Sequence, residues 1–340
     1  MSVITRPLGG SRVSAIGYGA MGISSFYGPV LVDELRMKAR LALNAVYESG
    51  CTHWDTADVY GDSEELIGKW LKKTGKRNDI FLVTKFGMTM NREPGGRAVN
   101  GEPSYAAAAI DRSLKRLGVD FVDLWYLHRA DPKVPIEITV RTMAEQVKAG
   151  KVKHIGLSEV SATTLRRAHA VHPITAVQVE YSPFSLDIEH NGVLATAREL
   201  GVKIVAYSPV GRGLLTGKIR SPDDLDPTDM RRLLPRFAPA NFPKVLAVVD
   251  GIQAIADAHG ATPGQVALAW VLAQGDDFLP IPGSTKPTNI HENMATAALQ
   301  LSREEVTAIR TLAEGADLGE RYPAAYAHLI NAETPALDEE

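Results

Sequence analysis

Short apolar runs alternating with longer amphipathic stretches constrain this chain more than any other feature. After a hairpin read from VITRPLGG and RVSAI come IGYGAM, THWD, IFLVTK, VDLWYLH, VKHIGLS, AVQVE, VKIVAYS and FLPIPG. Each run is too short for a helix and apolar enough for a strand covered on both faces. Between them lie DELRMKARLALNAVYESG, SEELIGKWLKKTG, SYAAAAIDRSLKRLG, IEITVRTMAEQVKAGK, TTLRRAHAV, GVLATARELG, PGQVALAWVLAQ and TNIHENMATAALQ, which have helical character. A glycine follows the basic helix ends in LKRLGVD and VKAGKVKH, as a C′ glycine and the macrodipole favour, and several helices open after Ser, Thr or Asp. Strands alternating with helices require a parallel sheet. Eight such units over roughly 250 residues predict an α/β fold of the (β/α)8 TIM barrel type, with a doubly wound sheet as the alternative.

Two stretches fall outside the repeat. One is a long, charged, proline-punctuated loop after the seventh barrel strand, IRSPDDLDPTDMRRLLPRF; the other is a tail from Gly315 to NAETPALDEE, expected to be mobile at its end. No linker divides the chain, so residues 1–340 read as one barrel domain with a C-terminal tail at 315–340. At 45% hydrophobic and 23% charged residues the composition is that of a soluble globular protein. A formal charge of −3 argues against nucleic acid or an anionic membrane as partner. The single cysteine, Cys51, excludes an intrachain disulfide and reads as a small buried residue. MSVITRPLGG lacks a signal-peptide core, and no apolar run reaches about 18 residues, so a cytoplasmic location is expected.

Gly17-Tyr18-Gly19-Ala20-Met21-Gly22 matches G-x-G-x-x-G, the dinucleotide fingerprint. In a Rossmann unit these glycines open a helix directly, and an acidic residue follows about 20 positions on. Here SSFYGPVLV intervenes, and the next strand-end acid is Asp55. A tight turn after the first barrel strand, bringing the backbone of Gly19 and Met21 close to a ligand, fits better.

Four polar residues sit at or just past strand ends: Asp55 and Tyr60 in THWDTADVYG, Lys85 ending FLVTK and His128 ending VDLWYLH. Singly they read as a helix cap, a solvated strand end and a core histidine. Together they lie at strand C-termini, the face where barrel active sites are built. Reducing a carbonyl needs a proton at oxygen. A tyrosine supplies it only if its pKa, about 10 when free, is brought down. A lysine ammonium about 4 Å away favours the phenolate by roughly 4 kcal/mol at an effective dielectric of 20, while burial opposes it. Asp55 would keep Lys85 charged, and His128 would donate a hydrogen bond to the substrate oxygen. A Schiff-base lyase would also use a strand-end lysine, but leaves Asp55 and Tyr60 unexplained.

With DTADVYGDSEELIGKWL, VTKFG and LWYLHR the chain resembles the aldo-keto reductase superfamily. The likeness continues through GKVKHIGLSEVS, VQVEYSPF, VAYSPVGRGLLTGK and IPGSTKPTNIHEN. Its branch is similar to fungal and plant pyridoxal-reductase-like and perakine-reductase-like enzymes. The resemblance implies a catalytic tetrad of Asp55, Tyr60, Lys85 and His128, and NADPH bound without a Rossmann domain, with no metal. Ser158 and Gln178 would hold the carboxamide, and Tyr207 would stack on the nicotinamide. Ser208, Pro209, Gly211, Gly213 and Leu214, with Lys218, would line the pyrophosphate. Gly283, Ser284, Thr285 and Lys286 would meet the 2′-phosphate, with Glu292 and Asn293 on the adenine. Independently, GSTKPTN precedes a helix whose free N–H groups attract phosphate; a plain helix-capping turn is the alternative. Arg212 stands between a pyrophosphate contact and a solvated loop charge.

Two positions depart from the resemblance. Ser158-Glu159 replaces the Ser-Asn of many relatives, leaving Glu159 either beside the nicotinamide or turned away as a surface charge. No arginine lies near Asn289, which leaves more of the NADPH-over-NADH discrimination to Lys286. The expected partner is a small carbonyl compound. Phe26, Tyr27, Phe86 and Met88 point to an aryl or pyridine aldehyde, and Arg129 and the segment from Arg231 to Phe242 are further substrate-loop candidates. The competing expectation is a cofactor-binding regulatory subunit resembling the potassium-channel β subunits.

Overall fold

The structure, a computed structural model, describes residues 4–24, 32–89 and 99–337, with side chains of the first helix from Arg36 onward. Phe26, Tyr27 and Met90 therefore lie outside the described residues. β1 (Thr5–Leu8) and β2 (Ser11–Ser14) pair antiparallel through Gly9-Gly10, both at positive φ as a tight hairpin turn requires. β3 (Tyr18–Gly19), β4 (His53–Asp55), β5 (Phe81–Phe86), β6 (Val122–Leu127), β7 (Val152–Ser158), β8 (Ala176–Glu180), β9 (Lys203–Tyr207) and β10 (Phe278–Pro280) form one eight-stranded parallel sheet in chain order. Gly17 N–H donates to the Pro280 carbonyl (2.9 Å) and Gly19 N–H to Pro282 (3.2 Å), joining the first strand to the last. That closure makes a barrel and excludes the doubly wound sheet.

The seam explains the glycine fingerprint. A Cβ on Gly19 would come 2.8 Å from the Ile281 carbonyl oxygen, and one on Gly283 would come 2.6 Å from that of Gly19. Only glycine lets the two backbones approach so closely. The strand expected over IGYGAM is correspondingly short: Ala20–Ser24, including Met21, is a 3₁₀ turn that ends beside the loop after β4.

Helices α1 (Val32–Glu48), α2 (Ser63–Thr74), α3 (Pro103–Leu117), α4 (Ile136–Lys148), α5 (Ala162–Val171), α6 (Asp187–His190), α7 (Val193–Glu199), α8 (Phe242–His259), α9 (Pro263–Leu272), α10 (Pro287–Ala295) and α11 (Arg303–Glu314) pack outside the strands. Gly75 and Gly118 end α2 and α3 in the left-handed region, after basic last turns. Ser161, Thr262 and Ser302 cap α5, α9 and α11 through their hydroxyls. Asp62, before α2, makes no such bond. α6, α8 and α11 lie outside the segments read as helical. Ser302 and Glu305 form a capping box, a signal present in the sequence. α8 follows the long loop, whose four 3₁₀ turns run from Gly211 to Phe237, and its Pro243 lies in the first turn.

Inside the barrel, Leu8 and Val13 of the hairpin pack with Phe81, Val83, Leu124, Tyr126, Ala176, Val205, Leu279 and Ile281. The hairpin thus plugs the mouth where the strands begin. At the other mouth the C-terminal segment is docked as far as Pro335, whose carbonyl accepts from Arg167 Nη2 (2.5 Å), while the last residues, 338–340, where a mobile end is expected, lie outside the described residues. Ala332 N–H donates to the Glu159 carbonyl (2.9 Å) and its carbonyl accepts from Ser161 N–H (3.0 Å), while Thr334 Oγ1 accepts from Ile136 N–H (3.2 Å). Backbone pairing with the end of β7 offsets the entropy that would free a polar tail. Among the described residues, no helix is long and apolar enough to cross a membrane, and no group of three or more His, Cys, Asp or Glu could hold a metal.

Candidate active site

Strand alternation builds the site. On β5, Phe81 and Val83 point into the barrel, so Lys85 does too; on β6, Leu124 and Tyr126 lead in the same way to His128. Ala176 leads to Gln178 and Glu180 on β8, and Val205 to Tyr207 on β9. The lower members fill the barrel with apolar bulk. The upper members are polar and meet at the rim where the strands end.

Lys85 Nζ donates to Asp55 Oδ1 and to the Thr56 carbonyl (2.8 Å), and Asp55 Oδ2 accepts from Gln178 Nε2 (2.8 Å). Lys85 is 0% exposed and Asp55 2%, so neither the solvated strand end nor the helix cap describes them. Burial pulls the Lys85 ammonium down, but the Asp55 carboxylate and the Tyr60 hydroxyl, with which it is in hydrogen-bond contact, more than offset this and raise its pKa. Tyr60 arrives on the loop after β4. Asp58 N–H bonds the Lys85 carbonyl (3.0 Å), and the Ser24 hydroxyl donates to the Tyr60 carbonyl (2.5 Å). Gly61 follows at φ 52°, packed on Ser24. Lys85 Nζ lies 5.0 Å from the Tyr60 ring centroid, and the Tyr60 and His128 rings meet edge-on at 5.6 Å. Burial, then the charges of Lys85 and Arg129, hold His128 well below its ordinary pKa. It is a neutral imidazole at physiological pH. Beneath Asp55, buried His53 is likewise pushed down, to about 4, chiefly by burial.

Glu159 is not the surface charge allowed for by the sequence. It is 3% exposed, and its Oε1 accepts from Glu180 N–H (2.9 Å), Tyr207 Oη (2.9 Å) and Arg321 Nη1 (3.2 Å). Ser158 Oγ accepts from Arg129 Nη1 (3.1 Å), which also donates to the His128 carbonyl (2.7 Å). Arg212 is not a solvated loop charge either. Its Nη2 donates to Glu180 Oε2 (2.8 Å), and its guanidinium lies 4.5 Å from the Tyr322 ring centroid. Arg321 and Tyr322, which the strand-end pattern misses, come from the C-terminal segment. Only the charged-aromatic pair GERYP in an otherwise plain tail hinted at them.

The remaining candidates lie on three adjoining segments. Gly19 and Met21 border the seam. Ser208, Pro209, Gly211, Gly213, Leu214 and Lys218 follow β9, with Ser208, Gly211, Arg212 and Gly213 all at positive φ (51°, 58°, 56° and 100°). Gly283, Ser284, Thr285 and Lys286 precede α10, which carries Glu292 and Asn293. Tyr18 Oη donates to the Ser284 carbonyl (2.9 Å), and Lys286 N–H to Ser284 Oγ (3.1 Å), so Ser284 does serve as a turn-capping group. Lys218 Nζ lies 3.8 Å from Glu292 Oε2, whose Oε1 accepts from Thr262 Oγ1 (2.8 Å).

Residues 15–314 match the Aldo/keto reductase family. The chain belongs to that family. It is 57% identical over 340 residues to "Aldo-keto reductase str7" of Strobilurus tenacellus, covering 98% of each chain. It is 47% identical to "Aldo-keto reductase yakc [NADP(+)]" of Schizosaccharomyces pombe, covering 99% of each. Among solved structures it is similar to the glycerol dehydrogenase AKR11B4 of Gluconobacter oxydans, with a TM-score of 0.83 and 27% identity over 95% of this chain and 99% of that one. A thermostable aldo-keto reductase in complex with the inhibitor epalrestat gives 0.71 and 30% identity over 91% and 99%. Family membership agrees with the closed parallel barrel and places this chain among oxidoreductases.

Proposed function

We propose that this chain reduces an aldehyde or ketone to an alcohol with NADPH as reductant, and that Tyr60 delivers the proton. The observation that carries the reading is the fully buried Lys85–Asp55 pair against the ring of Tyr60, with His128 edge-on to it. A charged ammonium beside a phenol stabilises the phenolate and so eases proton release. Asp55, itself held by Gln178, keeps that ammonium charged out of water. Neutral His128 can donate a hydrogen bond to the carbonyl oxygen as negative charge develops there.

The residues present fit NADPH, which when bound supplies the hydride. Gly211, Arg212 and Gly213 take successive left-handed conformations that fold the loop after β9 into a tight turn, its Gly211 and Gly213 N–H groups bonded to the Ser208 and Val210 carbonyls, and a pyrophosphate laid along it would be met by Lys218. Gly283, Ser284, Thr285 and exposed Lys286 sit at the N-terminus of α10, where N–H groups and a cation suit a 2′-phosphate. The NADP(+) in the name of the Schizosaccharomyces pombe relative supports the same reductant. Ser158 and Gln178 would orient the carboxamide and Tyr207 the ring. The complete set of Asp55, Lys85, Tyr60 and His128 favours turnover over a purely regulatory subunit.

An aryl or pyridine aldehyde as substrate has less support than the reaction itself. Phe86 is 0% exposed and stacks on Trp125 at 4.2 Å in the outer core, because strand alternation turns it away from the barrel interior. Met88 remains, half-buried past β5. NADPH oxidation across benzaldehydes, pyridoxal and aliphatic aldehydes ranks these classes. For the reaction itself, Tyr60→Phe is expected to lower carbonyl reduction by at least about 10²-fold while NADPH affinity stays near that of the parent. Undiminished turnover in that variant would sink the assignment.

A further inference from the structure

The end of β7 carries a feature that proton delivery leaves unused. Glu159 adopts φ 53°, a left-handed conformation uncommon outside glycine, yet it is one of the most buried acids in the chain. Its backbone and its side chain both grip the C-terminal segment. The carbonyl accepts from Ala332 N–H (2.9 Å), while the carboxylate takes both terminal nitrogens of Arg321 (3.2 Å each). The same carboxylate accepts the Tyr207 hydroxyl and the Glu180 N–H, so one side chain joins β7, β8, β9 and the C-terminal segment. Tyr207 Oη lies 3.2 Å from Tyr322 Oη, and Tyr322 carries the Arg212 guanidinium on its face. Burial disfavours the Glu159 carboxylate, but Arg321 and then Arg129 hold it below its ordinary range, so the ion pair persists at working pH.

Such a pair is a poor device for stability alone, since desolvation cancels most of its attraction. Its geometry serves position instead. We infer that Glu159 is a positioning residue: it fixes the plane of Tyr207 and pins Arg321 and Tyr322 as the wall of the carbonyl pocket that the C-terminal segment contributes. The inference rests on Tyr207 facing the nicotinamide, as proposed above. With the Tyr207 hydroxyl held, the ring meets the cofactor without a rotamer to freeze. With Arg321 held, Tyr322 stays over the rim rather than leaving with the tail.

Three conservative variants test this in the full-length enzyme: Glu159→Gln, Tyr207→Phe and Arg321→Lys. NADPH affinity is read by fluorescence titration, KM and kcat by steady-state kinetics, and folding by thermal melting. Glu159→Gln is expected to weaken NADPH by about tenfold and to raise the carbonyl KM, with kcat changed less than either. Tyr207→Phe should reproduce the NADPH loss and spare the carbonyl KM. Arg321→Lys should do the reverse. A lower melting temperature in Glu159→Gln with NADPH affinity and both KM values within about twofold of the parent would overturn the inference and leave a purely structural carboxylate. If Glu159→Gln does not fold, the other two variants decide, and unchanged constants in both overturn it. Tyr60→Phe is independent of all three, so failure of the proton-donor assignment is separable from failure of this one.

Discussion

Asp58 lies between the two ends of the proposed proton path, three residues after Asp55 and two before Tyr60. It is 9% exposed, its Oδ1 has no hydrogen-bond partner, and Glu64 is close by. Burial, then the Glu64 charge, raise its carboxyl from 3.8 to about 7 against the pull of Arg112 and Arg116. The native state therefore holds this proton more tightly than the unfolded chain does. The stability it contributes is fully present below the unfolded value and is lost as pH rises through the folded one. Asp58→Asn removes that loss. Its melting temperature, compared with the parent, is expected to be similar near pH 4 and higher at pH 8, by the equivalent of at least about 1 kcal/mol. A difference that does not change with pH would refute the raised pKa. At this scale the sequence was informative where a residue's role follows from its own strand. The places of Asp55, Lys85 and His128 are legible because each closes its own apolar run, whereas Gln178 and Tyr207 stood out only through the family resemblance, although alternation sends them inward too. Glu159 was not, because its partner Arg321 is 162 positions away and its left-handed backbone leaves no trace in the residue type.

Among the elements, strand order and helix alternation were legible because each βα unit carries its own periodicity. What closes the barrel was harder to see. The glycines that mimic a dinucleotide fingerprint are where β3 meets the segment after β10, and a pairing between chain ends has no local pattern. Their requirement is steric. At Gly283 a Cβ would lie 2.6 Å from the Gly19 carbonyl oxygen, and at Gly19 it would lie 2.8 Å from that of Ile281; neither neighbour is a side chain that can swing aside. Gly283→Ala is expected to destabilise the fold by about 1–3 kcal/mol, as forced overpacking does, and to weaken cofactor binding by displacing Ser284 to Lys286. Gly118→Ala, at φ 63° with nothing within 4 Å of its Cβ, strains a turn without touching the seam. Denaturant melts and cofactor titration of both variants separate the two effects. Loss of cofactor affinity in Gly118→Ala as well would show that the seam has no special part.

Over the whole molecule, the segments assigned to the cofactor come from opposite ends of the chain. Gly19 and Met21 precede α1, while Gly283 to Asn293 follow β10, and the loop after β9 lies beside them through Lys218 and Glu292. A ligand spanning these segments binds the closed barrel and has little to hold in the unfolded chain. Free NADPH at 100 times its dissociation constant should therefore stabilise the fold by about 2.7 kcal/mol, seen as a rise in melting temperature. The 2′-phosphate is the only difference between NADPH and NADH, and Lys286, the one cation of the GSTK turn, stands exposed at the N-cap of α10. Attraction between an exposed ammonium and a phosphate is screened by salt. Lys286→Ala should consequently lose much of the NADPH-induced shift at low ionic strength and less of it at high, while the NADH-induced shift stays as in the parent. Equal losses for the two cofactors would remove Lys286 from the 2′-phosphate site and shift that discrimination to the N–H groups of α10.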